Sequence, residues 1–201
     1  MPATLIQKQR SKELIEATWT VVARVGVDNA TVREIAREAG CTTGALWHHF
    51  RNRDDLIDQA IDQLAEDFFD EAEREWQAVL PGVARLRVLV RHLAPREAHQ
   101  RDGALALFRL WSGASDHEPT ALALRAQHRR LFDLVLGFIE EAQQRDEIAD
   151  DVVPSMLAEI LIALGDGMCV SRVLMLSDGS TELDAAVDTV LERFATRVKR
   201  R

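Results

Sequence analysis

The sequence predicts an all-α protein of about nine helices, with a small N-terminal head and a larger helical-bundle body. The chain has 201 residues but only five prolines, ten glycines and no tyrosine. A composition rich in Ala, Leu, Arg and Glu favours helices and offers few breaks. No stretch shows the strict alternation of apolar and polar residues that is typical of a half-buried strand. The helices can therefore be placed one by one from their spacing and end signals.

The first two helices are delimited by their end signals. Apolar residues recur at helical spacing from Ile6 to Arg24, and Gly26 ends this helix. A second helix begins at Thr31, because Thr31 and Glu34 have the spacing of a capping box. Gly40 ends this helix after barely two turns.

A third short helix follows the turn at residues 40–42. Thr42 and Thr43 can cap it, and Leu46 and Phe50 lie four residues apart, so that both point inward. The next residues on the opposite face point outward. These are Trp47 and His48.

Asn52 can cap a fourth helix that runs to about Leu80 and is broken by Pro81 and Gly82. The rest of the chain is divided into helices by breaks at Pro95, 116–119, 145–153 and 177–180. The further predicted helices are Val83–Leu93, Arg96–Ser115, Pro119–Gln144, Pro154–Leu176 and Thr181–Arg200.

The overall composition favours neither a disordered nor a membrane-embedded chain. Hydrophobic residues are 47% and charged residues 29% of the total, as in ordinary globular proteins. The most apolar stretch, 156–176, carries Glu159, Asp166 and Arg172, which predicts a buried helix rather than a membrane span. No apolar run of signal-peptide length lies near the N-terminus, so we expect no export signal and a cytoplasmic protein.

The cysteines and histidines do not predict a metal centre. Cys41 and Cys169 are far apart and in no CxxC pattern, which favours neither a disulfide framework nor a zinc site. Cys41 is interpreted as a small buried hydrophobe, with redox sensing as the alternative. His48 and His49 are adjacent and diverge by about 100° on a helix. No nucleophile–base pair or phosphate loop stands at workable spacing, so we expect no cofactor and no enzymatic activity.

Charge is distributed unevenly along the chain. The formal net charge is −8, yet residues 1–53 carry eight Lys and Arg against five Asp and Glu, a balance of +3. Residues 54–201 carry 17 against 28, a balance of −11. A basic head on an acidic body suggests that the head meets a polyanion.

The head has the physical requirements of a DNA reader. Two short helices joined by a tight turn form a helix-turn-helix pattern. The second of them opens with Thr43, Gly44 and Ala45, which are small enough to let its N-terminus approach base edges in the major groove. Donors around it can contact phosphates. These candidates are Thr31, Thr43, Trp47, His49, Arg51 and Arg53.

The segment from Thr31 to Leu56, TVREIAREAGCTTGALWHHFRNRDDL, resembles the DNA-binding signature of the TetR family of bacterial transcriptional regulators. The resemblance implies base contacts from Arg33 and from residues 43–45, and backbone contacts from Trp47, His49 and Arg53. The set expected to bind DNA is Thr31, Arg33, Thr42, Thr43, Gly44, Ala45, Trp47, His48, His49 and Arg53.

Three positions depart from the family's pattern. Trp47 stands where tyrosine is usual, so a phosphate contact there would come from an indole N–H. Arg53 stands where lysine is frequent and allows a bidentate phosphate contact. Cys41 stands where a small aliphatic residue is usual.

In the family, the remaining helices bind a small molecule. Two runs here, Leu107–Ser115 and Leu161–Met168, resemble the C-terminal domain of the subgroup that includes the repressor of choline–betaine genes. A helical bundle can hold a mostly apolar cavity with a few polar anchors, although ordinary core packing is the alternative for the aromatic residues. The candidate ligand-binding residues are Phe108, Trp111, His128, Phe132, Asp166, Met168 and Cys169.

Two charged residues of the body need a partner if they are buried. Arg109 and Asp166 either form a structural ion pair or anchor a polar ligand. An aspartate together with an aromatic ring favours a cationic ligand.

The last two helices carry broad apolar faces and are expected to pair with the same helices of a second copy. Two heads related by a two-fold axis can then bind half-sites about 34 Å apart or multiples of that distance. These faces comprise Met156, Leu157, Ile160, Leu161, Leu164 and Met168 on one helix, and Leu183, Val187, Val190, Leu191 and Phe194 on the other.

We therefore predict a ligand-responsive transcriptional repressor. It binds palindromic double-stranded operator DNA as a homodimer through residues 1–53, and a small-molecule effector bound within residues 54–201 releases it. The alternative is a helical module that binds a ligand or a partner and carries a vestigial head. Binding to the DNA upstream of its own gene would separate the two interpretations.

Overall fold

The computed structural model describes residues 3–94, 98–113, 118–174 and 181–194. Within these ranges the chain forms nine α-helices and no strand, which confirms the predicted all-α class. In chain order they are α1 Ala3–Val25, α2 Val32–Glu38, α3 Thr43–Trp47, α4 Arg53–Trp76, α5 Val83–His92, α6 Ala98–Gly113, α7 Glu118–Gln144, α8 Pro154–Val173 and α9 Thr181–Phe194.

The predicted helices differ from the observed ones mainly at their ends. The fourth helix was expected to reach about Leu80, but α4 ends at Trp76. From Ala78 onward the hydrogen bonds span three residues, as from Ala78 N to the Glu75 carbonyl at 3.1 Å, and the chain turns more tightly than an α-helix. Several predicted breaks and ends lie outside the described residues. They are Pro95, Arg96, Ser115, Asp116, Leu176, Ser177–Ser180 and Arg200.

The chain packs as two compact units. The first consists of Met1–Asp67 and Ala98–Gln127, and the second of Phe68–Glu97 and His128–Arg201. The first unit extends past residue 53, because Leu56 at the start of α4 is fully buried in the same core as Phe50. The boundary after residue 53 concerns DNA contact rather than packing, and it stays a prediction.

The core of the first unit joins the apolar faces of α1, α2, α3, α6 and the first turns of α4. Thr18 is fully buried on α1, and its hydroxyl donates to the Leu14 carbonyl at 2.8 Å, so this polar side chain is satisfied. The largest buried side chains of this core come from all five helices and from the loop after α3. They include Leu14, Ile35, Leu46, Phe50, Leu56 and Leu110.

In the second unit, acidic side chains from the end of α7 and the loop after it cap the start of α5. The Gly82 N–H donates to Glu141 at 3.0 Å, and the Val83 N–H donates to Glu147 at 2.8 Å. Both carboxylates satisfy N–H groups that a helix start leaves unpaired, and their negative charge suits the helix dipole. The sequence did not reveal this cap.

Helix α8 lies very close to the end of α5 in the same unit. A Cβ atom at Gly165 would lie 2.5 Å from Cδ1 of Leu93, so glycine is required for this approach. One face of α8 is buried at Leu157 and Leu161, whereas Met156 and Ile160 are exposed. The stretch 156–176 was expected to form a buried helix, and that expectation is wrong for the face that carries Met156 and Ile160. None of the described helices combines the length and the apolarity that a membrane crossing requires.

Candidate nucleic-acid interface

The start of α2 is held by the predicted capping box. The Glu34 N–H donates to Oγ1 of Thr31 at 3.3 Å, and the Thr31 N–H donates to Oε2 of Glu34 at 3.4 Å. The Thr31 hydroxyl also donates to the same carboxylate at 3.2 Å. Because both the backbone N–H and the hydroxyl of Thr31 bond to Glu34, Thr31 fixes where α2 begins. A phosphate contact from its side chain stays a prediction.

The turn between α2 and α3 is tight and regular. Gly40 has a φ of +60°, which L side chains rarely adopt, and the Cys41 N–H donates back to the Ala36 carbonyl at 2.9 Å. Thr42 then caps α3, since its Oγ1 accepts from the Ala45 N–H at 3.1 Å. The capping role predicted for Thr42 is confirmed. Its hydroxyl hydrogen is not used by this bond and can still be donated to an acceptor.

Buried residues set the orientation of both short helices. Ile35 and Ala36 anchor α2, and Leu46 and Phe50 anchor α3, each with an exposed fraction of 2% or less. The predicted inward positions of Leu46 and Phe50 are confirmed. Because the inward faces are fixed in this way, the opposite faces of α2 and α3 must point to solvent.

The exposed face of α3 carries small side chains at its start and polar or aromatic side chains at its end. A Cβ atom at Gly44 would meet nothing nearer than Thr42 Oγ1 at 3.8 Å, so the surface in front of this residue is open. Trp47 is 42% exposed, which is unusual for so large a ring. The other predicted contacts on or beside these helices are also exposed except for the half-buried His49. They are Arg33, Thr43, Ala45 and His48.

Arg53 makes contacts within the chain, and its predicted phosphate contact stays a prediction. Its side chain is 30% exposed, and its Nε donates to the Ala30 carbonyl at 3.3 Å while Nη2 donates to the Val27 carbonyl. Nη1 lies 3.8 Å from a carboxylate oxygen of Asp54. The guanidinium is thus committed to the turn between α1 and α2, a contact that the sequence did not reveal.

The start of α4 has a second attachment next to Arg53. Asn52 caps the helix as predicted, with its Oδ1 accepting from the Asp55 N–H at 2.8 Å. The Asp55 carboxylate accepts from the Arg51 N–H at 2.8 Å and from Nη2 of Arg51 at 2.7 Å. The Arg51 side chain and backbone N–H lower the pKa of Asp55 to about 2. Arg51 was predicted to contact phosphate. Its guanidinium is paired with this carboxylate, yet its side chain is 86% exposed, and the phosphate contact stays a prediction.

The candidate ligand residues of the body fall in both compact units. Phe108 and Trp111 belong to the first unit, where Phe108 is half-buried and Trp111 is 38% exposed. Arg109 is half-buried in the same unit, whereas Asp166 belongs to the second. The remaining candidates belong to the second unit with Asp166. They are His128, Phe132, Met168 and Cys169.

Within the second unit the environment of Asp166 is distinctive. Burial raises the pKa of its carboxyl, and the positive charge of His128 opposes that rise. Burial also raises the pKa of Cys169 to about 11, and the charge of Asp166 adds to the shift. A half-buried carboxylate that is costly to ionise gains most from a ligand that supplies a positive charge. Among the described residues, no group of three or more His, Cys, Asp or Glu side chains could hold a metal ion.

Comparison with known proteins agrees with this geometry. Residues 14–60 match the family described as bacterial regulatory proteins, tetR family. The HTH-type transcriptional regulator PksA of Bacillus subtilis is 27% identical over 87% of this chain and 83% of its own length. The HTH-type transcriptional regulator BetI of Escherichia coli is 28% identical over 70% of this chain and 74% of its own.

A solved structure shares the fold over nearly the whole chain. It is a transcriptional regulator from Saccharomonospora viridis in complex with choline, with a TM-score of 0.78 and 20% identity. The match covers 94% of this chain and 100% of that one. The resemblance predicted from residues 31–56 is thereby confirmed, and the matched segment contains α2, α3 and the turn between them.

Proposed function

We propose that this chain, a transcriptional regulator of the TetR family with an N-terminal DNA-binding domain, is a cytoplasmic repressor that acts as a homodimer. On palindromic operator DNA the two heads occupy the two half-sites, and a small-molecule effector bound in the body releases the dimer. The family relatives carry the names of regulators, not enzymes, and the proposed activity is binding without turnover.

One observation carries the DNA-binding part of the proposal. The inward anchors Leu46 and Phe50 are buried, so the small residues at the start of α3 lie open on the other face. An α-helix with a narrow N-terminus fits the major groove and brings backbone N–H groups toward phosphates. Arg33, exposed on α2, is the side chain best suited to a bidentate contact with guanine.

An exposed apolar stripe on α8 supports the dimer. Val153, Met156, Ile160 and Leu174 are between 44% and 63% exposed in the single chain. Met156 and Ile160 lie four residues apart and, with the exposed Ala163 and Gly167, share one face of the helix, whereas Val153 and Leu174 flank its two ends. Such a face is covered when the same helix of a second copy packs against it. The predicted partner helix α9 contributes Val187, Val190, Leu191 and Phe194, of which Val187 and Leu191 are already buried within the chain, and Leu183 lies where no side chain is described.

We propose a cationic effector with a small apolar body. The half-buried Asp166 would regain a favourable charge balance beside a cation, and Phe132 in the same unit offers a ring for cation–π contact. The similarity to a regulator solved with choline favours the same chemical class. His128, Met168 and Cys169 of this unit remain its proposed lining. Phe108 and Trp111 belong to the first unit and are not part of this proposed lining.

Effector binding needs only a modest differential affinity. A preference of a few kcal/mol for the released conformation lowers operator occupancy by about a hundredfold. We propose that the effector shifts α4 and, through it, the separation of the two heads.

A mobility-shift titration on the DNA upstream of the protein's own gene tests the proposal. We expect binding that choline weakens, and we expect Arg33→Ala to lose preference for that DNA over a random duplex. Arg37→Ala, also an exposed arginine of α2, is the matched control. Equal losses on both duplexes for Arg33→Ala would contradict a base contact, and no binding by the unaltered chain would favour the module with a vestigial head.

A further inference from the structure

We infer that Arg53 is a positioning residue, which fastens the start of α4 to the turn before α2 and thereby sets the orientation of the DNA-reading helices. The inference rests on the proposed DNA-binding function and assigns Arg53 a different role in it from a phosphate contact. We call the contacts of Arg53 with the carbonyls of Val27 and Ala30 the Arg53 clamp.

The Arg53 clamp spans a turn that local interactions define only in part. Gly26 has a φ of +82° and ends α1, and the Ala30 N–H donates to the Val27 carbonyl at 3.2 Å. Val27 and Ala30 are buried, at 5% and 0% exposure. Their carbonyl oxygens are therefore poorly placed to bind water. The guanidinium donates to the Ala30 carbonyl and gives the Val27 carbonyl a second hydrogen bond beside the one from the Ala30 N–H.

The clamp ends next to the residue that begins α2. Ala30 directly precedes Thr31, whose side chain and carbonyl hold the first turn of α2. A change in the position of Arg53 is therefore transmitted to the N-cap of α2 through one peptide unit. Arginine suits this task better than lysine, because two of its N–H groups form a rigid fork that reaches two carbonyls at once.

The first turn of α4 also holds the segment that follows α3. Asp55 accepts three hydrogen bonds from Arg51, one from its backbone N–H and two from its guanidinium. Arg53 and Asp55 thus attach the beginning of one helix to both sides of the helix-turn-helix. Movement of the start of α4 therefore moves α2 and α3 as a body.

The salt dependence of DNA binding separates positioning from phosphate contact. Removing one contact between a cationic side chain and a phosphate lowers the slope of log K against log salt by about 0.9. We expect Arg53→Ala and Arg53→Lys each to weaken specific binding by about tenfold while that slope stays unchanged. A slope lowered by about one for Arg53→Ala, with nearly normal binding by Arg53→Lys, would overturn the inference, because lysine also serves as a phosphate ligand.

Amide hydrogen exchange of the full chain without DNA gives a second readout. We expect Arg53→Ala to increase exchange at Ala30, Glu34 and Ile35, whose N–H groups hold the turn and the start of α2. Amides of α8 serve as an internal reference, and Arg37→Ala removes an equal charge without touching the clamp. Faster exchange in α8 as well would show a general loss of stability and would overturn a positioning role.

The proposed function and the Arg53 clamp can be contradicted independently of each other. If the unaltered chain binds no DNA, the proposed function is wrong, but exchange at Ala30, Glu34 and Ile35 still decides whether the clamp holds the start of α2. If the chain binds DNA and exchange at these amides is the same in Arg53→Ala and in the unaltered protein, the clamp is wrong and the proposed function stands.

Discussion

The exposed faces of α3 and α8 differ in chemistry although both leave large side chains in solvent. On α3 the open face starts with Thr43 and Gly44 and ends with Trp47, which is 42% exposed. On α8 the open face presents Met156 and Ile160, at 63% and 44% exposure. A face of small residues, hydroxyls and one ring N–H suits a groove lined by polar base edges, whereas an aliphatic face suits another aliphatic face.

The difference teaches that exposure alone does not identify a partner. Trp47 and Ile160 are about equally exposed, yet an indole can donate a hydrogen bond and an isoleucine cannot. The residues around each of them decide what it can bind. Substitutions on each face can therefore test whether the two faces act on different partners.

The largest expected effect is on self-association. Met156→Glu together with Ile160→Glu places two charges where the α8 stripe would be buried, so we expect the dimer dissociation constant to rise by at least about a hundredfold. Operator binding should fall with it, whereas Trp47→Ala should weaken DNA binding and leave the dimer intact. Sedimentation velocity measures self-association, and a mobility shift measures operator binding.

Glu159→Gln, an exposed change on the same helix, is the control and should leave the dimer intact. Unchanged sedimentation of the double glutamate variant would remove α8 from the interface.

A smaller effect is expected where α8 meets α5. Gly165→Ala places a Cβ 2.5 Å from Leu93 Cδ1, so we expect a loss of about 1–3 kcal/mol in the free energy of unfolding. Gly137→Ala on α7 meets nothing within 4 Å and should stabilise by about 0.5–1 kcal/mol, because alanine favours a helix. Urea denaturation measures both. Equal effects of the two substitutions would contradict the close approach of α8 to α5.

Asp55 of the first compact unit and Asp166 of the second should affect the response to acid with opposite signs. The pKa of Asp55 is lowered to about 2 in the folded chain, below its ordinary value of about 3.9. Its stabilisation is therefore complete above pH 4 and is lost as the pH falls through 2. We expect Asp55→Asn to cost about 1 kcal/mol at pH 7 and progressively less as the pH falls.

Asp166 has the opposite shift, since burial raises its pKa. Its charged form costs stability at pH 7, and this cost disappears on acidification. Asp166→Asn should stabilise the free protein by less than about 1 kcal/mol at pH 7 and abolish the response to choline. Urea unfolding of both variants between pH 3 and pH 7, with the unaltered chain as reference, checks the two signs. Parallel pH profiles for the two variants would contradict the assignment.

The smallest effect concerns the two thiols and leaves stability unchanged. Cys41 is half-buried in the turn of the head, whereas Cys169 is buried and its pKa is raised to about 11. At pH 7.5 we expect iodoacetamide to label Cys41 at least about tenfold faster, because the thiolate is the reactive form. Mass spectrometry of timed digests measures both rates, with Cys41→Ser as the control. Faster labelling of Cys169 would show that the body opens readily.

The head could be predicted in detail because its signals are local. The capping box of Thr31 and Glu34 and the cap at Thr42 join residues three apart, and Leu46 and Phe50 lie one helical turn apart. Interactions over so few residues depend on backbone propensity and spacing, which the sequence shows directly.

The contacts that only the tertiary structure decided join residues far apart in the sequence. Arg53 reaches carbonyls 23 and 26 residues earlier, and Glu147 caps α5 from 64 residues away. Nothing in the spacing of charged residues marks such partners, because an arginine that contacts phosphate and one that contacts a turn have the same sequence signal.

Helix α8 shows the same limit for apolar residues. Met156, Leu157, Ile160 and Leu161 are all apolar, so the sequence by itself determined that α8 is a helix and that it must be covered. Packing against the rest of its unit decided that Leu157 and Leu161 are buried and that Met156 and Ile160 are left exposed. Periodicity identifies a face only when the opposite face is polar, and α8 is apolar on both.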